Sequence, residues 1–599
     1  MIYHCEDHTC NYWDEGEKLP ERCPQCGRKL LRANEADMTG DDWTALGNTL
    51  WDAEASDKKR MVDCFRKAAY LGSAWGVCNL GICMEQGNGV EADPVQAFWL
   101  YQQAVEMGSL NAVCCLGVCY QYGIGTAPDA KQAAELYCKA AEYGSPRGQM
   151  LLARAFHDGI GVEADAAEAV YWVRAAAYQR YGEGMHRLGV CYEYGDGVEQ
   201  NWERAVHWFR EAAESGVGVA MTDLGYCYEK GCDVEQSWEQ AFSWYRRSAE
   251  CGNPVSMSNL GLCYQMGYGV EQNWQEAIKW YEQGAQCGDL QSMHNLACCY
   301  EGGEGVEQNE DRAFYWYRRS AEGGNGSAMC NLGRCYKRGY GVEQNWQEAV
   351  KWYEQGAQCG NLQSMHNLAC CYEHGEGVEQ NMTEAIRWYT AAAEGGNADD
   401  MYELGWQYDH GEGVEQDMKK AICWYERAAE QNHPAAMNSL GECYAMGRGV
   451  PRDLETAMEW YRRAAELGEA MADYNMGWHL EQAGKLSEAY THYRKAADGN
   501  DDSAWWALGR FYENGVVVAQ DGKEARRCYE TGEKLGSVKC KMRLARCKLL
   551  GIGGRRAKKA GLDLCRQALE LAKESSEKED YGYEAEMNLL RRTIAENES

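Results

Sequence analysis

The sequence predicts an all-α solenoid of about fifteen helix pairs, preceded by a small four-cysteine module. Three observations predict it. One unit recurs every 36 residues from 73 to 468 without a slip, which makes eleven copies. Within each copy the apolar residues are spaced by three and four, the period of a helix face. Residues 1–34 stand outside the repeat and carry Cys5, Cys10, Cys23 and Cys26.

A chain of 599 residues would ordinarily suggest several globular domains. The period replaces that expectation with one stack. Its divisions are 1–34 (module), 35–40 (linker), 41–572 (solenoid) and 573–599 (charged capping helix). The net charge of −32 argues against a general nucleic-acid binder, which needs clustered Lys and Arg. The start, Met1–Cys10, has no basic segment followed by an apolar run, so no signal peptide is read there. No apolar stretch approaches the ~18 residues of a membrane span. A cytoplasmic protein without a membrane partner is expected.

Taken in chain order, the module comes first. Cys5-x4-Cys10 and Cys23-x2-Cys26 offer two pairs of thiolates, a set that suits tetrahedral zinc. A 34-residue segment too small for its own core often needs such a metal. His8 rivals Cys10 as the second ligand. Six acidic side chains against five basic ones make this module a poor phosphate binder.

In the unit that begins at Asn253, Met257, Leu260, Gly261, Cys263 and Tyr264 share one face of the first helix. Gly267 ends that helix as a left-handed cap, Gly269 lets the loop turn, and Val270 tucks beneath it. Asn273 caps the second helix, with Glu276 three places on in capping-box spacing. Asn345 with Glu348 and Asn381 with Glu384 repeat the pattern. Asp93-Pro94-Val95-Gln96 is a variant with proline at the first helical position. The second helix carries Ala277, Ile278, Trp280, Tyr281 and Ala285. Its Trp-Tyr pair recurs, for example at Trp244, Trp352 and Trp460. Gly261 and its equivalents let the paired helices approach closely. No pair buries both of its faces alone, so the units must stack. The duplication is partly literal: Gly267–Asn309 and Gly339–Asn381 differ at only three positions.

The repeat, Leu-Gly-x-Cys-Tyr followed by Gly-x-Gly-Val, then Asn, Ala, Trp-Tyr and Ala-Ala, resembles the Sel-one-like repeat. The resemblance covers about 41–572. It implies a right-handed superhelix related to tetratricopeptide proteins, and an adaptor or scaffold for protein complexes. Residues 469–500, without the Gly-x-Gly-Val loop, and 537–572, without the Trp-Tyr pair, depart from it and are expected to bend or cap the stack. Leu19–Gly27 resembles the second knuckle of zinc ribbons and rubredoxin-like modules. This implies a closed structural site for zinc, with iron as the alternative.

Ten cysteines fill one first-helix slot: Cys83, Cys119, Cys191, Cys227, Cys263, Cys299, Cys335, Cys371, Cys443 and Cys547. Cysteine there behaves as a small core residue. Helices in a stack lie about 8–10 Å apart, too far for a disulfide's Cα span of roughly 4.4–6.8 Å. Secreted members of the resembling family staple each unit with two cysteines. Cys251, Cys287 and Cys359 lack such a second cysteine, having Met257, Met293 and Met365 near that position. Reduced thiols are expected.

In proteins of the resembling family the first helices line the concave face. The residue before Leu-Gly recurs there as Asn79, Asn259, Asn295, Asn331 and Asn367, and varies to Arg187, Asp223, Glu403 and Ser439. A carboxamide donates and accepts, so this ladder suits the backbone of an extended peptide; bonding to the neighbouring turn is its alternative use. Residues just before the loop glycine also vary, from Glu85 and Tyr122 to Met266 and Arg338. His294 with Cys298, and His366 with Cys370, lie four apart on one helix face. That spacing could hold metal, with groove packing as the expected role.

Charge inverts at the carboxy end. Residues 534–573 hold twelve Lys and Arg, among them Lys541, Arg543, Arg546, Arg555, Arg556, Lys558 and Lys559, against Asp563 and Glu570 alone. Such a patch suits an acidic surface, including another copy's solenoid.

An enzyme is not expected. No phosphate-binding loop, zinc-protease helix or serine elbow is present. Cysteine-rich relatives have been linked to β-lactamase activity, and Ser56-x2-Lys59 has that spacing without the companion motifs. An exported bacterial factor acting on host proteins is the second hypothesis; a β-lactamase-like hydrolase is the remote third.

Overall fold

In each regular repeat from 73 to 468 an α-helix ends at a left-handed glycine, and a second begins where an Asn, Asp or Ser side chain accepts from the backbone of its first turn. A computed structural model describes residues 2–5, 13–15, 30–32, 35–51, 55–578 and 584–598. It forms two compact units, Met1–Gln308 and Asn309–Ser599.

The first unit opens with a three-stranded antiparallel sheet. Strand β1 (Ile2–Cys5) lies between β2 (Trp13–Glu15) and β3 (Leu30–Arg32). Thereafter this unit is helical, from Gly40–Thr49 to Leu290–Gly302. The second unit runs from Glu310–Glu322 to Glu584–Glu598 and is a stack of the same helix pairs. The described chain has 31 α-helices, and those of the regular repeats are 13 residues long. None is long and apolar enough to cross a membrane.

The loop signals fold as their chemistry requires. Gly267 sits at φ 76° and donates to the Cys263 carbonyl at 2.9 Å. Asn273 accepts from the backbone of Glu276 at 3.2 Å, but only this half of the expected capping box is made. The Glu276 carboxylate turns instead to Lys279 at 3.3 Å. Glu348 and Glu384 likewise turn to Lys351 and Arg387. A nearby cation competes better for a solvated carboxylate than the cap N–H does. A complete box forms at Thr39 and Asp42.

The core of most pairs is a ring set on a small first-helix residue, usually glycine. Tyr101, Tyr137, Tyr353 and Tyr461 are buried, each packed on the first-helix glycine of its own repeat. A Cβ on Gly117 would fall 2.5 Å from the Tyr137 ring, so the close approach expected of this glycine is real. The paired tryptophans are half-buried and take arginines on their outer faces, as Arg427 does over Trp424 at 4.3 Å.

Neither of the two irregular segments interrupts the pairing of helices. Ala470–Gln482 and Leu486–Asp498 keep the Tyr493-on-Gly477 packing across a four-residue deletion. Val538–Leu550 is followed by the long helix Lys558–Lys578. The absent Trp-Tyr pair is replaced by a core of Leu549, Cys565, Ala568 and Leu590.

Candidate functional site

The slot before Leu-Gly falls at the same place on every first helix. Asn259, Asn295, Asn331 and Asn367 are half-buried there, as are Arg187, Asp223 and Glu403. Asn79 is buried at 8% exposure. The flanking Leu and Gly fix each side chain: Leu260, Leu296, Leu332 and Leu404 are fully buried.

Several slot residues bond the preceding first helix, the alternative use expected of them. Asn79 donates to the Asn48 side chain at 2.8 Å, and Asn367 donates to the Cys330 sulfur at 3.3 Å. Asp223 meets His186 at 2.7 Å. Asn475, which the irregular sequence around it hid, holds the same slot and donates to Asn438 and Glu442. Other slot groups keep bonding capacity. No side-chain hydrogen bond is made by Asn259 among the described residues. Burial, then the nearby Glu373, raises the Glu403 carboxyl above its ordinary range.

The two His-Cys pairs diverge. Cys298 lies 3.8 Å from His294, and Cys370 lies 3.6 Å from His366. His366 gains a carboxylate: its Nδ1 is 2.7 Å from Asp400, a fully buried residue of the next repeat. The residue 72 positions earlier is Ala328. Asp400 and Cys370 together push the His366 imidazole up to about 10. No group of three His, Cys, Asp or Glu among the described residues is arranged to hold a metal ion.

A second regularity was missed from sequence. In several repeats the buried second-helix tyrosine donates its hydroxyl to the residue two before the loop glycine, sixteen positions earlier. Tyr137 reaches Gln121 at 2.7 Å, Tyr245 reaches Glu229 at 2.8 Å and Tyr529 reaches Glu513 at 2.8 Å. The recurrence of Glu, Gln or Asp at that spacing was the available signal.

All ten ladder cysteines are buried. Burial pushes the Cys83 and Cys443 thiols up to about 11, and those of Cys119, Cys263 and Cys371 to about 12. Cys251, Cys287 and Cys359 are exposed free thiols.

The basic end divides. Arg543, with its side chain 14% exposed, pairs with Glu586 at 2.7 Å and Glu513 at 3.3 Å. Arg546 also pairs with Glu513, and Arg556 donates to Asn597. These three tie the last helices together. Arg555, Lys558 and Lys559 are exposed, and Lys541 is half-buried.

Of the four module cysteines, Cys5 ends β1, while Cys10, Cys23 and Cys26 lie outside the described residues, as does His8. Cys5 pairs with Leu30 of β3, and His4 with Trp13 of β2. Ser56 lies in the first turn of the helix Ala55–Tyr70, and Lys59 on that helix is exposed.

A family model described as Sel1 repeat matches thirteen consecutive segments, from 76–109 and 112–145 through 470–501 to 504–537. Among solved structures, the chain is similar to a protective antigen present in uropathogenic Escherichia coli strains, which displays an SLR fold. Identity is 32% over 75% of this chain and 97% of that one, with a TM-score of 0.52. A Sel1 repeat protein from Oxalobacter formigenes is 31% identical over 41% of this chain and 96% of its own, with a TM-score of 0.37. No curated protein matches this chain.

Proposed function

The chain belongs to the Sel1 repeat family, whose scaffolds are typically protein-interaction modules, and from that premise we propose a non-enzymatic adaptor that binds a protein or extended peptide along its first helices. The observation that carries this is the slot before Leu-Gly. From Arg187 to Ser439 a repeated frame presents one half-buried polar side chain per repeat, and that side chain differs between repeats. Within the second unit Asn331, Asn367 and Glu403 place donors and acceptors on successive first helices, which is how a groove grips a peptide main chain. Sequence-specific side chains of the partner would then meet the variable positions.

Selection of displayed peptides on the immobilised protein, followed by crosslink mapping, tests this. Crosslinks on the first helices are expected. Crosslinks confined to the second helices would contradict it.

Zinc is proposed as the structural metal of the amino-terminal module, with iron as the alternative. Support comes from the sheet register. The strand residues that follow Cys10 and Cys26 in sequence, Trp13 and Leu30, lie beside His4 and Cys5. The four cysteines would hold the metal, which there supplies folding energy and no chemistry.

A reduced, cytoplasmic setting is proposed on the strength of the buried thiol ladder. The exported alternative has one supporting observation, the likeness to a protective antigen. It requires oxidised thiols at Cys251, Cys287 and Cys359, which mass spectrometry of native protein reads directly. Self-association is proposed through Arg555, Lys558 and Lys559, and size measurement at low and high salt tests it: a dimer at low salt that dissociates at high salt supports it.

A further inference from the structure

One repeat of the first unit lacks its ring. Every other second helix from Pro94–Glu106 to Trp274–Gln286 buries an aromatic side chain on the small first-helix residue: Tyr101, Tyr137, Phe209, Tyr245 and Tyr281. In the helix Ala166–Tyr178 that place is held by Val173. The helix before it is Pro146–Asp158, and the one after it is Gly182–Tyr194. Between these three helices lies a cavity of about 350 Å³.

Its floor is apolar. Ala153, Val170, Val173 and Cys191 line it, each 3% exposed or less, with Met150 beside them. Thioether and thiol groups are favourable neighbours for an aromatic ring.

The mouth is polar and ordered. In four other repeats of this unit the residue sixteen before the ring accepts a tyrosine hydroxyl, as Glu85, Gln121, Glu229 and Gln265 do; here it is His157. Its Nδ1 lies 2.7 Å from Asp158 and its Nε2 lies 3.3 Å from Asp196. Arg187 holds Asp196 at 3.4 Å, and Arg154 holds Asp158 at 3.5 Å. The missing ring thus leaves an apolar slot, where neighbouring repeats bury an aromatic side chain, that ends in hydroxyl-bonding groups. The volume lies in the range of small-ligand sites, roughly 300–1,000 Å³, so the slot has room for a ring and its substituents.

We infer that this cavity binds a 4-hydroxyphenyl group, carried either by a tyrosine of a partner peptide or by a free small phenol. The ring would take the place of the absent tyrosine, with its hydroxyl at His157 and Asp196. This site is independent of the peptide groove proposed above, although Arg187 borders both.

The test is ligand-observed NMR and calorimetry on the full chain with 4-methylphenol, toluene and N-acetyltyrosinamide. 4-Methylphenol should bind wild type at one site per chain. Val173→Tyr, which restores the ring found in neighbouring repeats, should weaken that binding at least tenfold and raise the melting temperature. Val173→Phe serves as the second variant, should the buried hydroxyl disturb folding, and should block the site equally. His157→Ala should weaken 4-methylphenol more than toluene. Binding of N-acetyltyrosinamide as well points to a peptide tyrosine; binding of 4-methylphenol alone points to a free phenol. No binding of 4-methylphenol to wild type, or equal binding to wild type and both Val173 variants, would overturn the inference.

Discussion

His366 donates across a repeat boundary to Asp400, with 2.7 Å between Nδ1 and Oδ1, and Asp400 is buried completely. The pair locks two successive first helices in register. In the literal copy of this repeat, Ala328 stands where Asp400 would be.

This pair makes the stability of the second unit depend on pH. The His366 imidazole is pushed up from 6.5 to about 10, first by Asp400 and then by Cys370. A raised folded value means that its stabilisation is complete below pH 6.5 and is lost as pH rises through about 10. Burial also raises the Asp400 carboxyl, with His366 opposing it, so that group too binds its proton more tightly when folded. Both signs agree: stability falls with rising pH. Between pH 6.5 and 8, below the ordinary thiol range, the melting temperature of Asp400→Asn should fall less steeply than that of wild type. Equal slopes would refute the coupling.

The ring-on-glycine contact predicts a graded series. At Gly441 an added Cβ would stand 2.5 Å from the Tyr461 ring. Alanine is present in this slot at Ala297 and Ala369, so the ring can give slightly. Gly441→Ala should therefore cost about 1 kcal/mol, and Gly441→Val about 2–3 kcal/mol, by overpacking. Urea unfolding of the two variants measures both.

At the carboxy end, Glu513 accepts from Tyr529, Arg543 and Arg546 together. Its carboxylate is only 9% exposed. Arg543 also pairs with the buried Glu586 at 2.7 Å, so removing it leaves that carboxylate uncompensated, at roughly 3–5 kcal/mol. Arg543→Ala should loosen Val538–Leu550 and Glu584–Glu598, seen as faster hydrogen exchange there. Lys558→Ala should leave exchange unchanged.

The module makes a separate demand. Purified full-length protein should carry about one zinc or iron per chain, and Cys23→Ser with Cys26→Ser should remove it. Less than half an equivalent in wild type would contradict a metal-stabilised module.

Local rules made most of this fold legible. The period, the glycine caps, the Asn273 cap and the cysteine slot each depend on residues within one turn or loop. What escaped depends on the neighbouring repeat or on competition. Asp400 lies 34 residues beyond His366, and no helical spacing connects them. The Tyr529 hydroxyl reaches Glu513 back across a loop, a pairing visible only as a sixteen-residue recurrence. Glu276 had capping-box spacing, yet Lys279 took its carboxylate. In the basic patch, the sequence showed cations at Arg543 and Arg546 but not the carboxylates folded onto them. Val173 read as an ordinary apolar residue; only the surrounding rings make it a gap.

The central claim is that the first-helix slot binds rather than merely supports. The direct measurement is the affinity of a selected peptide for wild type and for Asn295→Ala, Asn331→Ala and Asn367→Ala combined, taken with the melting temperature of each. Losing hydrogen bonds at about 1 kcal/mol apiece predicts a weakening of at least tenfold with little change in melting. Unchanged affinity accompanied by a lowered melting temperature would show that these amides only hold the stack together.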